Sequence, residues 1–202
     1  IENDYKICPS RHPWGYPNSI VPLNDRTNYD LYKNAKAVFV QTTDHLNVYQ
    51  LNEVQGNFIN LKSSIWSDND ILMLRNLNKE YKTKNNKYGI YYTQNWIKNT
   101  QGNLKYCGEN KLSIQILKET KSRIEFLTNL AKCTGIVFFP IARETFCRLV
   151  VESKCLGLDV ITSKNYGASL ENWFDELSGD DMIDFLETQT NINLNKIGEY
   201  IK

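Results

Sequence analysis

The stretch "GIVFFPIARETFCRLVVESKCLGLDVITS", Gly135 to Ser163, reads as strand, stop, helix, strand. Gly135 to Phe139 is apolar at every position, the pattern of a strand buried on both faces. Pro140 cannot donate to a strand ladder and closes it. The segment "ETFCRLVVESKCLG" (144–157) then predicts a helix, with Phe146, Leu149, Val150 and Leu156 on one stripe. "LDVITS" (158–163) returns to strand composition. Strands joined through a helix of this length run parallel, so the unit predicts a sheet with helices packed on it.

The same alternation extends upstream. "YGIYY" (88–92) is a strand, "WIKNTQGNLKYCGEN" (96–110) a helix, "LSIQIL" (112–117) a strand and "SRIEFLTNLAKC" (122–133) a helix. Downstream, "SLENWFDEL", "GDDMIDFLETQ" and "LNKIGEYIK" read as three separate helices. The expected class is therefore α/β, a Rossmann-like parallel sheet with helices on both faces. "KTKNNK" (82–87) is short, polar and basic, and serves as the linker between residues 1–81 and 82–202. Before it, "AVFVQ" (37–41) and "NFINLK" (57–62) are strands. "TTDHLNVYQL" (42–51) and "SDNDILMLRNLNKEY" (67–81) are helices, capped by Thr42 or Thr43 and by Ser67 or Asp68. The first 34 residues, with four prolines in "CPSRHPWGYPNSIVP", read as a wrapped loop region. The chain opens on Ile1 instead of methionine, which fits a fragment.

A net charge of +1 gives no bulk electrostatic case for nucleic acid or an anionic membrane. The longest apolar run, "GIVFFPIA", is too short to cross a bilayer. Five cysteines without a C-x-x-C pair favour reduced, packed thiols in a reducing compartment, which points to the cytoplasm. His12 and His45 lie too far apart in sequence to build a metal cage with them. Asp68 and Asp70 in "SDND" are most simply helix caps. His45 reads as packing or surface, and Trp66, Trp96 and Trp173 as core.

In a sheet of this kind ligands sit beyond the carboxyl ends of the strands. Glu144 then falls at the cap of the helix after Pro140, and the amides of Thr145, Phe146 and Cys147 are free donors suited to a diphosphate. Glu152, two turns on, suits the vicinal hydroxyls of a ribose. On spacing alone the plainer reading leads: Glu144 an acid favoured by the helix dipole, Glu152 a solvated helix residue.

The segment "VFFPIARETFCRLVVESKCLGLDVITSKNYG" resembles the donor-binding region of GT-B glycosyltransferases, in the large retaining family that includes sucrose and glycogen synthases. Pro140, Glu144, Glu152, Cys155 and Gly157 fall at the places of that family's strand, proline, E-x7-E and glycine pattern. "NWIKNTQGNLKYCGENKL" and "SLENWF" are similar to small members encoded by phages and other viruses, which would place the chain in a host cytoplasm.

The resemblance covers Lys87 to about Phe174 and implies a C-terminal donor domain (82–202) with a partial acceptor-side domain (1–81). It implies transfer of a hexosyl group from a nucleoside-diphosphate sugar to a glycan, lipid or protein hydroxyl, with retention and without a metal or other cofactor. Glu144 would touch the transferred sugar, Glu152 the ribose, and Lys98, near Gly102, the diphosphate. His12 is the residue placed to reach a sugar or acceptor from the N-terminal side.

Two departures stand out. The arginine usual one turn before the lysine is missing from "YYTQN", leaving Arg143 or Arg148 to supply that cation. "TFCR" also replaces a glycine-rich run. The alternative function is a non-catalytic sugar-nucleotide-binding or assembly module of the same fold; a third is a Rossmann-type domain with unrelated chemistry.

Overall fold

A computed structural model describes residues 1–201. The chain forms two parallel sheets. The smaller pairs β1 (Val38–Val40) with β2 (Phe58–Asn60), connected through α2 (Thr43–Leu51). Thr42 caps α2 by accepting the amide of His45 at 3.1 Å. Ahead of β1 lie three 3-10 turns and the short α1 (Tyr29–Asn34). This opening segment, expected as a wrapped loop region, carries no helix longer than these and no strand before β1, and it is packed. Tyr5, Ile7, Cys8 and Val21 are buried in one core with Tyr32, Val40, Val48 and Tyr49, and the amide of Glu2 donates to Phe39 O at 2.8 Å.

After α3 (Asp68–Glu80) come β3 (Tyr88–Tyr92), α4 (Thr100–Glu109), β4 (Ile114–Lys118), α5 (Arg123–Ala131), β5 (Gly135–Phe138), α6 (Arg148–Cys155) and β6 (Asp159–Thr162). The four strands are parallel in the order β4-β3-β5-β6. Side chains alternate as the pleat demands. Ile136 and Phe138 enter a large core with α5 and α6, whereas Val137 joins Ile90 and Cys107 on the α4 side. The α/β class with parallel strands flanked by helices, compatible with a Rossmann-like fold, is thus observed. Gly157, at φ +64°, ends α6 in the left-handed conformation that glycine adopts without strain.

Several expected elements differ, among them the helix expected over "SLENWFDEL", of which only Trp173–Glu176 is α-helical. The helix expected from Glu144 begins at Arg148. The helix expected over 96–110 breaks at Asn99, which is left-handed (φ 54°), so Trp96–Lys98 is a separate 3-10 turn. The last two expected helices are one, α8 (Gly179–Ile201), which follows α7 (Trp173–Glu176). Helix α8 packs on α3 and α6 and then crosses to the smaller sheet. There Gln189 and Asn193 both donate to Leu61 O at 3.0 Å, and Tyr200 lies 5.7 Å from Phe39. Ile71, Leu74 and Leu77 of α3 pack into the large core, with residues beyond the 82–87 linker, not with β1 and β2. No described helix is long and apolar enough to cross a membrane.

Candidate functional site

From β3 the chain passes through α4 to one face of the sheet, and from β5 through α6 to the other. The carboxyl ends of these neighbouring strands therefore open a crevice, the place where such sheets bind ligands. Asparagines fix its walls. Asn95 accepts the amide of Ile97 at 3.1 Å, and Asn99 accepts that of Gly102 at 3.2 Å while donating to Phe139 O at 2.9 Å. Asn103 donates to Lys98 O at 3.0 Å and accepts from the Phe139 amide at 2.8 Å. The exits of β3 and β5 are thereby laced together.

Across this crevice Lys98 Nζ lies 2.8 Å from Glu144 Oε1. Glu144 is held by its backbone, not by a helix: its amide donates to Asn165 O at 3.3 Å, and its carbonyl accepts from Gly167 at 2.8 Å. A Cβ on Gly167 would sit 2.2 Å from Thr145 O, so only glycine permits this approach.

Glu152 is buried, 6% exposed, and its Oε1 lies 2.6 Å from Arg123 Nη2 and 3.5 Å from Arg148 Nε. The same two arginines reach Asp70, at 3.3 and 3.2 Å. Burial pushes the Glu152 carboxyl up from its ordinary value, against the opposing pull of Arg123 and Arg148. Burial acts the same way on Asp70, but there Arg123, the Ser67 cap and Arg148 prevail and hold it below the usual range. Arg148 also lies over the ring of Trp66 at 3.9 Å, so it does not face solvent freely. A hollow of about 500 Å³ opens beside this network, lined by Tyr91, Lys98, Arg123, Phe126, Arg148 and Glu152 among others.

The remaining expected donor contacts are placed differently. Because α6 starts at Arg148, the amides of Thr145, Phe146 and Cys147 precede its first turn; they make no hydrogen bond among the described residues and border a second hollow of about 450 Å³. The Thr145 hydroxyl lies 2.9 Å from both Asn3 O and Gln41 Oε1, tying this loop to the N-terminal half. Phe146 is core, between Trp66 and Trp173. Cys147 adopts φ 72°, where a glycine is at home. Arg143 turns to the N-terminal half, with Nε 3.2 Å from Asp44 and its guanidinium 5.2 Å from the ring of Trp14. His12 lines a third hollow, about 380 Å³, together with Lys98, Arg143 and Glu144.

Sequence reasoning did not single out Arg123, Tyr91 or Phe126, and it preferred a capping role for Asp70 over a metal-binding acid pair with Asp68. Asp70 is indeed the partner of Ser67 in a capping box. Arg123 did carry a signal: a cation on the first turn of a helix opposes the dipole and calls for a partner, here Glu152 and Asp70. Trp66 and Trp173 are core as expected, but Trp96 is 59% exposed. His45 is wholly buried. Comparison with family models, with curated proteins and with solved structures returns no match.

Proposed function

We propose that this chain is a retaining glycosyltransferase of the GT-B kind, moving a hexosyl group from a nucleoside-diphosphate sugar to an acceptor hydroxyl. One observation carries the reading: Lys98 and Glu152 line a single hollow at the β3/β5 crevice, with Glu144 bonded to Lys98 at its border. At about 500 Å³ it lies within the range of small-molecule pockets, roughly 300–1,000 Å³.

In the proposed reaction the bond from the anomeric carbon to the diphosphate breaks and a bond to the acceptor oxygen forms on the same face. The acceptor's proton leaves with the nucleoside diphosphate or to solvent. Lys98 stabilises charge growing on the leaving diphosphate. Glu144 accepts from hydroxyls of the hexose and orients it, and Glu152 accepts from the ribose. Arg123 and Arg148 share Glu152, so they also stand where a phosphate would approach. The resemblance implies that no metal takes part.

The test is release of nucleoside diphosphate from a panel of UDP-, GDP- and ADP-sugars, followed beside the melting temperature. Release with a rise in melting temperature is expected, and a panel that neither turns over nor shifts melting removes the reading. The two-stranded N-terminal sheet favours a second one, a sugar-nucleotide-binding module with a reduced acceptor side. It predicts the melting shift without release.

A further inference from the structure

Beside the crevice, on the α4 side, the segment after β3 encloses a separate hollow of about 430 Å³. Its lining includes Tyr92, Gln94, Asn95, Trp96, Gln101 and Ile141, and no lining residue carries a charge. Trp96 is 59% exposed, Ile141 54% and Tyr92 45%, so two aromatic rings and an aliphatic side chain face solvent beside a ring of amides. We propose that this groove binds a neutral, hydroxyl-rich sugar chain.

The chemistry of the walls selects that occupant. The apolar face of a pyranose presents weakly positive C–H bonds that seat on the negative face of an indole or phenol ring. Its rim of hydroxyls needs groups that both donate and accept, which side-chain amides do. Gln94 and Gln101 make no side-chain hydrogen bond among the described residues, and the side-chain nitrogen of Asn95 is likewise unused. A nucleic-acid strand would stack on the same rings, but it needs cations along its phosphates, and the hollow has none.

The backbone here is prepared in advance. Asn95 accepts from Ile97 and its amide donates to Thr93 at 3.2 Å. Thr100 accepts the Thr93 amide at 3.2 Å and reaches Thr93 O at 3.0 Å, and the amide of Ile141 donates to Ile97 O at 2.9 Å. Asn95 borders this hollow and the one lined by His12, whose ring lies 6.4 Å from Trp96, so the groove leads toward Lys98 and Glu144. That the bound chain serves as acceptor rests on the glycosyl-transfer reading; that it binds does not.

The experiment uses the full chain labelled with nitrogen-15 and follows the indole N–H signals of its four tryptophans. The chain is titrated to millimolar concentration, with no nucleotide present, with neutral gluco-, galacto- and N-acetylglucosamine pentasaccharides, a single-stranded oligonucleotide and an uncharged peptide. The signal missing from Trp96→Phe is expected to move with at least one oligosaccharide. Trp96→Ala and Tyr92→Ala are expected to weaken that binding at least tenfold with unchanged melting temperature, since both rings are exposed. No response to any oligosaccharide, a response to the oligonucleotide or peptide alone, or full affinity in Trp96→Ala overturns the proposal. Because nucleotide is absent, failure of sugar-nucleotide turnover leaves this result standing, and the reverse holds too.

Discussion

Lys98 Nζ and Glu144 Oε1 meet at 2.8 Å across the mouth of the β3/β5 crevice, a cation and an acid that the proposed reaction assigns to opposite ends of one bond being broken. Both side chains are partly open, at 25% and 19% exposure, so the pair contributes at most about 1 kcal/mol to folding. Lys98→Ala should therefore melt near the parent while sugar-nucleotide turnover drops about a hundredfold or more. The exchanged variant, Lys98→Glu with Glu144→Lys, separates the two roles. It rebuilds the ion pair and the melting temperature but leaves the cation on the wrong side, and turnover should stay at the level of Lys98→Ala. Recovered turnover would assign the pair a structural role.

Glu152 gives an opposite balance. Burial raises its carboxyl despite two guanidiniums, so desolvation outweighs pairing and the charge is kept at a cost to the fold. A raised folded value means that the stability Glu152 contributes is full in acid, below the ordinary carboxylate range, and is lost as pH rises through the folded value. Glu152→Gln should be no less stable than the parent at neutral pH, and its advantage should shrink toward pH 4. Its affinity for nucleoside diphosphates should nevertheless fall about tenfold, from loss of an acceptor for ribose hydroxyls. Urea unfolding at two pH values and calorimetry with UDP, GDP and ADP check both halves.

The strands were legible in the chain because continuous apolar runs bounded by polar residues have few other readings; Tyr88–Tyr92 was expected and is found without a shift. The start of α6 was not legible. Phe146 fits the apolar stripe of the helix, yet it is buried from the loop ahead of it, where Thr145 is tied to Asn3 and Gln41. The continuity of α8 was hidden for a related reason: Gln189, Thr190 and Asn193 interrupt the apolar period because they serve Leu61 O and the Trp66 amide across the seam. At the candidate site, Glu144, Glu152 and Lys98 stand out in the sequence through the family resemblance alone. Asp70 and Arg123 come from distant helices; Arg123 reaches Glu152, and Asp70 joins it through Arg123 and Arg148, only once the core has formed.

Cys147 occupies the left-handed region, φ 72° and ψ 75°, at the entry to α6. A side chain there costs about 1 kcal/mol that glycine avoids. Replacing the small buried thiol by glycine forfeits a similar amount of packing. Cys147→Gly should consequently melt close to the parent, whereas β-branched Cys147→Val should lose about 2 kcal/mol or more. Burial also pushes this thiol well up, so native Cys147 should not react with thiol reagents at neutral pH. Equal melting of the glycine and valine variants would show that the backbone here is unstrained.

His45 makes the fold sensitive to acid. Its ring is wholly buried; Nδ1 accepts the Gln41 amide at 3.4 Å, and Nε2 lies 3.2 Å from Asp4 O, so one neutral tautomer satisfies both contacts. Burial drives its pKa down to about 3, with the Asp4 carbonyl opposing and Lys6 assisting. For a base whose folded value is depressed, the stability is present above the ordinary value near 6.5 and drains away as pH falls toward the folded one. Between pH 7 and pH 5 the parent should lose about 2 kcal/mol from this single proton. Asp44, raised by burial against Arg143 and Tyr5, works in the opposite direction but only nearer the carboxylate range. His45→Asn should start less stable and show little slope over that window in urea unfolding; an equal slope in both proteins would locate the acid-sensitive proton elsewhere.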